Sequence, residues 1–120
     1  MLLRTFAALA ASALLCACAM SPMTITVNPV IDVDSLPLGR QQSLSVNTID
    51  QRPSPVLGNR GGVYNTAYVS TSANFTQSVN QVLVNTFRRL DFNANSGQGG
   101  PAQVTFQITE LRYINPPNQL

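Results

Sequence analysis

The chain has 120 residues, a length suited to one domain, and only 10% of them are charged. Seven arginines face five acids (Asp32, Asp34, Asp50, Asp91 and Glu110), with no Lys, His or Trp. Charges this sparse and balanced exclude an electrostatic nucleic-acid footprint. Without His or Lys there is no imidazole to activate a serine, no Ser–Lys dyad and no Schiff-base amine. The polar surface must come from Asn, Gln, Ser and Thr, which suits a compartment beyond the cytoplasm.

Met1–Arg4 is a short leader with one positive charge, and Thr5–Leu15 is an apolar run of eleven residues. A bilayer-spanning helix needs about 20; the run fits the core of a secretory signal peptide, about 7–15 residues. The alternative is a buried helix opening a globular domain, but the run is apolar all round and ends in small residues. Cys16 and Cys18, the only cysteines, follow it. A disulfide across one residue is strained, a metal pair would lack further ligands, and a redox pair would have Cys-X-X-Cys spacing. Leu15-Cys16-Ala17-Cys18 resembles a bacterial lipobox, with Leu15 at the apolar position and Ala17 at the small one. The resemblance implies cleavage between Ala17 and Cys18, a diacylglyceryl thioether on Cys18 and acylation of the new amine. Several acyl chains, at about 0.8 kcal/mol per buried CH₂, hold a protein on a membrane almost permanently. Ala19 is compatible with sorting to the outer membrane. Residues 1–17 then form the signal peptide and 18–23 the lipidated tether, and loss of Arg4 leaves six arginines against five acids.

Thr24–Ile31 alternates polar residues with Ile25 and Val27, predicting a strand that Pro29 ends or pushes to an edge. Asp32–Arg40 reads as a polar loop. Gln42–Asp50 alternates again, with Leu44 and Val46 on one face. Gln51–Gly62, rich in Pro and Gly, reads as a long turn. Val63–Ser70 predicts a third strand, with Tyr64 and Tyr68 sharing a face. Ala73–Leu90 is the one clear helix: Phe75, Val79, Val82, Leu83, Thr86, Phe87 and Leu90 form an apolar stripe. Ser72 or Asn74 would cap it, Asn74 with Gln77 resembling a capping box. Arg88 and Arg89 favour its C-terminal dipole, and Asp91 stands at a left-handed position. Asn93–Pro101 reads as a flexible loop. Ala102–Ile114 predicts the best strand, with a bulge near Thr109–Glu110 where the apolar phase slips.

Strand, helix, strand in this order predicts a right-handed parallel crossover from Leu44–Asp50 to Ala102–Tyr113. The expected fold is α+β: after the signal peptide, a two-layer domain over 24–114 with a mixed three- to four-stranded sheet and one amphipathic helix on one face. The order of features resembles the YajG family of bacterial lipoproteins: a lipobox cysteine, "TITVNP", "VNTIDQRP", a helix ending "FRRLDF" and a Gln/Thr-alternating strand. Its most specific element is Asp50-Gln51-Arg52-Pro53. The resemblance implies a Gram-negative envelope lipoprotein without an assigned activity and, more distantly, small periplasmic domains that regulate cell-wall synthesis or envelope assembly. Asp91 departs from the Gly often found there. Family members continue with further strands where this chain stops at Leu120, so the expectation for residues 115–120 is the tail of a short variant or a truncated frame.

Asp32 and Asp34 could bind a cation or do acid–base work, but no further ligand accompanies them and a solvated turn is the plainer reading. Asp50 and Arg52, at a strand end, are a possible binding spot; the competing reading is a local ion pair. Tyr64 and Tyr68 are either a contact patch or sheet packing. "GQGGP" follows the helix instead of preceding one, the wrong order for a phosphate loop. No catalytic residue, metal site or cofactor is expected. The expected protein is a non-enzymatic binding or assembly module, anchored by lipid to the outer membrane and facing the periplasm. Its partners would be the membrane and an envelope protein or the cell wall, with no nucleic acid. The alternatives are an envelope enzyme such as a peptidoglycan hydrolase, or an unlipidated secreted domain.

Overall fold

The computed structural model describes residues 22–61 and 67–114. The signal peptide, Ala17, Cys18, Tyr64 and the 115–120 tail lie outside the described residues. The elements are β1 (Met23–Ile25), β2 (Ser43–Asp50), β3 (Val56–Asn59), β4 (Tyr68–Thr71), the helix α1 (Phe75–Arg89), β5 (Asn93–Ser96) and β6 (Gln103–Ile108). The α+β class and the helix packed on a sheet face are as expected. The strands are divided between two three-stranded sheets, β1–β4–β3 and β5–β2–β6, where the alternation patterns suggested one. The chain builds two compact units whose segments interleave in sequence.

The first unit takes described residues 22–25, 54–61, 67–70 and 112–114. β3 pairs antiparallel with β4, Gly58 opposite Val69 and Asn59 opposite Tyr68, with a bulge between Val56 and Gly58. β3 lies inside the segment read as a turn. Four residues containing a glycine and a bulge show no clean alternation, yet Leu57 is buried with Ala67 and Val69. The first strand is only Met23–Ile25, not Thr24–Ile31; Val30, beyond Pro29, is 89% exposed. Tyr113 N–H donates to the Leu57 carbonyl at 2.9 Å. The apolar phase slip after Ile108 therefore marks the passage of the chain to this unit, not a bulge: β6 stops at Ile108.

The second unit takes residues 26–53 and 71–111. β2 is its central strand and runs parallel to both neighbours. Ser43–Val46 face Asn93–Ser96 of β5, and Ser45–Asp50 face Gln103–Ile108 of β6. Leu44 and Val46 point to the helix and pack with Leu83, Val84 and Ala94; Val79, Phe87, Phe92, Val104 and Phe106 close the cluster. β5 falls in the stretch read as a flexible loop, because "NANS" carries a single apolar residue, Ala94, which is fully buried.

The two parallel pairings require a link from β5 to β6 across β2, a step of two strand spacings, roughly 10 Å. Gly97–Ala102 makes it. Gly97 N–H donates to the Val46 carbonyl and the Ala102 carbonyl accepts from Ser45 N–H, both at 3.0 Å. Between them Gly100 (φ 92°) lies against Ser45 Oγ, on the face away from the helix. Parallel connections ordinarily need a dozen or more residues; this one is short because β6 starts at the level of β2 where β5 ends.

The helix is held differently at its two ends. At its start Asn74 makes no capping bond; its Oδ1 accepts from Ser72 Oγ at 2.8 Å, so the capping box does not form. At its end Asp91 takes the left-handed conformation (φ 65°). Phe92 N–H bonds back to the Phe87 carbonyl and Asp91 N–H to that of Arg88, each at 3.1 Å. This is a Schellman motif, and its accompanying apolar contact is Phe87 edge-on to Phe92, centroids 5.8 Å apart. Two further carbonyls are taken up by the incoming loop: Gly39 N–H donates to Leu90 at 2.8 Å and Gln41 N–H to Asp91 at 2.7 Å. A side chain on Gly39 would meet the Phe92 ring at 2.4 Å and the Asp91 carbonyl at 2.7 Å. Gly39→Ala is expected to destabilise by about 1–3 kcal/mol, the usual range for overpacking. Urea denaturation, read as a lower midpoint at unchanged slope, checks this.

Candidate functional site

Asp50 and Arg52 are brought together. Arg52 Nε donates to Asp50 Oδ1 at 2.8 Å and Nη2 to Oδ2 at 2.6 Å, a two-pronged pair; Arg52 N–H adds a bond to Oδ1 at 3.1 Å. Nη2 also donates to Thr71 Oγ1 at 3.1 Å, and Cζ lies 4.9 Å from the centre of the Phe75 ring. The Arg52 side chain is 4% exposed and that of Asp50 27%. Asp50 and Arg52 thus tie the end of β2 to Thr71 and the first turn of α1. Arg52 Nη1 is buried without a hydrogen-bond partner among the described residues. The Arg52 guanidinium, hydrogen-bonded to Asp50, holds that carboxyl below the usual carboxylate range; partial burial opposes the shift, and the Arg52 N–H and the charge attraction reinforce it. The same bond raises Arg52 further above its ordinary value.

Asp32 and Asp34 are both exposed, in a segment without regular structure. Tyr68 is 46% exposed on β4. Among the described residues no three His, Cys, Asp or Glu side chains stand close enough to hold a metal ion, and no helix is long and apolar enough to cross a membrane.

A second constellation was not read from the sequence. The core-facing stripe of α1 is centred on Phe75, Asn80, Leu83 and Val84, which are buried. Asn80 is therefore an amide in the row that otherwise carries hydrophobes. Its Oδ1 accepts from Thr48 Oγ1 at 2.8 Å and its Nδ2 donates to Ser96 Oγ at 2.7 Å. Asn80 and Thr48 are 9% and 8% exposed. The three side chains, from α1, β2 and β5, form the floor of a hollow of about 430 Å³ walled by Asn47, Thr76, Gln77 and Gln81. Every lining residue is an uncharged amide or alcohol. The usable signal in the sequence was Val84, which extends the stripe only if Asn80 lies within it.

The hollow exists because β5 ends at Ser96, level with Val46, leaving Asn47–Asp50 of β2 without a strand on that side. Arg88 covers the other edge of β5: its Nε donates at 2.8 Å to the Ala94 carbonyl, which alternation along the strand turns away from β2.

The model of a family described as uncharacterized lipoprotein matches residues 29–115. The match spans β2 to β6, hence the Asp50–Arg52 pair and the polar hollow. No curated protein and no solved structure matches the chain.

The lowered Asp50 carboxyl has a pH consequence. Because its folded pKa lies below the unfolded one, about 3.9, the pair's contribution is complete above that value and is lost as pH falls through the folded pKa. Melting curves between pH 7 and pH 2 are expected to show this acid loss. Asp50→Asn should show less of it and lower stability at pH 7 by roughly 1–3 kcal/mol, the range for a hydrogen bond to a buried charged group.

Proposed function

The chain belongs to this family of uncharacterized lipoproteins, the YajG-like family its sequence resembles, and from that premise we propose that it is a lipid-anchored binding module of the cell envelope, not an enzyme. In this reading Cys18, exposed by cleavage after Ala17, carries the lipid. The protein sits on the outer membrane facing the periplasm, and its partner is an envelope protein or the cell wall.

The observation that carries the binding role is the second unit's uncharged polar surface. An all-parallel sheet normally buries both faces. Here one face takes the helix, while Gln103, Thr105 and Gln107 of β6 and Ser43 of β2 are exposed on the strand faces that point away from it, with Ile49 the one exposed hydrophobe beside them. Such groups make directional hydrogen bonds without needing a charged partner. The carboxylates support the same reading: Asp50 is engaged by Arg52, and Asp32 and Asp34 are exposed in irregular chain, so these three give hydrolysis no converging acid and base. Asp50 and Arg52 enter this proposal as a binding spot through the exposed edge of the Asp50 carboxylate, with Arg52 fixing its orientation.

The test of the anchor is the intact mass of the protein purified from host membranes. The expected mass is that of residues 18–120 plus acyl chains, and Cys18→Ala is expected to lose the lipid and leave the membrane fraction. An unlipidated wild-type product would overturn the anchor.

A further inference from the structure

Burying an amide in a helix's apolar row is unfavourable unless each polar atom finds a partner. Asn80 meets that condition through Thr48 and Ser96, but a Leu at 80 and a Val at 48 would extend the cluster of Leu83, Val84 and Val46 without any network. Local pattern and fold disagree at this place, which is where binding sites are expected. The network is also not sealed inside: it floors an open hollow of about 430 Å³, within the size range of small-ligand sites. On its walls Asn47, Thr76 and Gln77 make no side-chain hydrogen bond among the described residues. Gln77 and Gln81 also line a second hollow of about 420 Å³, together with Asn28, Asn74, Ser78 and one apolar residue, Val82.

We propose that this paired hollow is a binding site for an uncharged saccharide. The inference rests on the reading of the protein as an envelope-binding module and supplies the ligand class. A sugar hydroxyl is both donor and acceptor, and a side-chain amide offers both in one plane, so amides and alcohols match a polyol. No charged residue lines either hollow, so neither offers a charged partner that would favour an anionic or cationic ligand. An extended peptide is favoured less, because strand-addition grooves read side chains through pockets and this floor is polar. The buried Asn80 amide, pinned by two alcohols, is preorganised, and Gln77 on the rim completes the grip. No aromatic ring lines the hollows, so weak binding, with a Kd of roughly 1 mM, is the expected order.

The experiment is saturation-transfer NMR on the full mature protein, purified from membranes in detergent micelles, with N,N′-diacetylchitobiose at about 10 mM, above the Kd expected for such a site. Transfer to the sugar is expected. Gln77→Ala should weaken it about fivefold, the loss of one hydrogen bond, and the Thr48→Val/Asn80→Leu double variant should abolish it with no fall in melting temperature. If the double variant does not fold, Gln77→Ala alone decides, since Gln77 is exposed. Absence of transfer from the wild type, or transfer unchanged in Gln77→Ala, overturns the proposal. Transfer only to acetyl-trialanine amide overturns it in favour of an extended peptide along the open edge of β2. The acyl mass of the same preparation is read separately, so failure here leaves the lipid-anchored module standing.

Discussion

A central strand paired in parallel on both sides must be approached twice from the same end, and most of the second unit follows from that requirement. The first return to β2 uses a long excursion that includes α1, and the helix covers the face of Leu44 and Val46. The second has only Gly97–Ala102. It succeeds because β5 and β6 are staggered along β2, so the chain crosses sideways with almost no travel along the strand. Gly100 allows the close pass, and Ser45 is small enough to be passed over. The stagger leaves the far half of β2 without a neighbour on the β5 side, and the polar hollow lies there. Topology, glycine content and candidate site are thus linked.

Parts of this were legible in the sequence for a clear reason. β2, the core of α1 and β6 carry enough residues at the right period to reveal which face is buried. Asp91 was legible because Asp tolerates the left-handed conformation that often follows a helix. What escaped was decided by tertiary context. Asn93–Ser96 is a strand because β2 offers an edge and Ala94 fits under the helix, not because Asn and Ser favour strands. Val56–Asn59 pairs in spite of its glycine. The capping box is absent where the Asn74 side chain accepts from Ser72 and not from the helix's own N–H groups. In the candidate site the pairing of Asp50 with Arg52 was readable from their spacing. The joining of Thr48, Asn80 and Ser96 was not, since it requires knowing that the helix lies across β2 with its start toward the end of that strand.

Charge is used sparingly, and where used it secures junctions. Arg52 binds Asp50 and reaches Thr71 and Phe75. Arg88 closes the outer edge of β5, where an unpaired carbonyl would invite another strand. Elsewhere neutral amides and alcohols take the role that ion pairs have on many surfaces, and they respond less to salt.

The position of β2 also sets a clock. It precedes both of its sheet partners, and β6 begins at Gln103, more than fifty residues after β2 ends at Asp50. At synthesis rates of about 5–20 residues per second, β2 waits roughly 3–10 s before its sheet can close. Through that interval the newborn chain has no complete core to collapse onto. The order of closure is thus set by the last strand: the second unit's core is completed only once Val104 and Phe106 have been made.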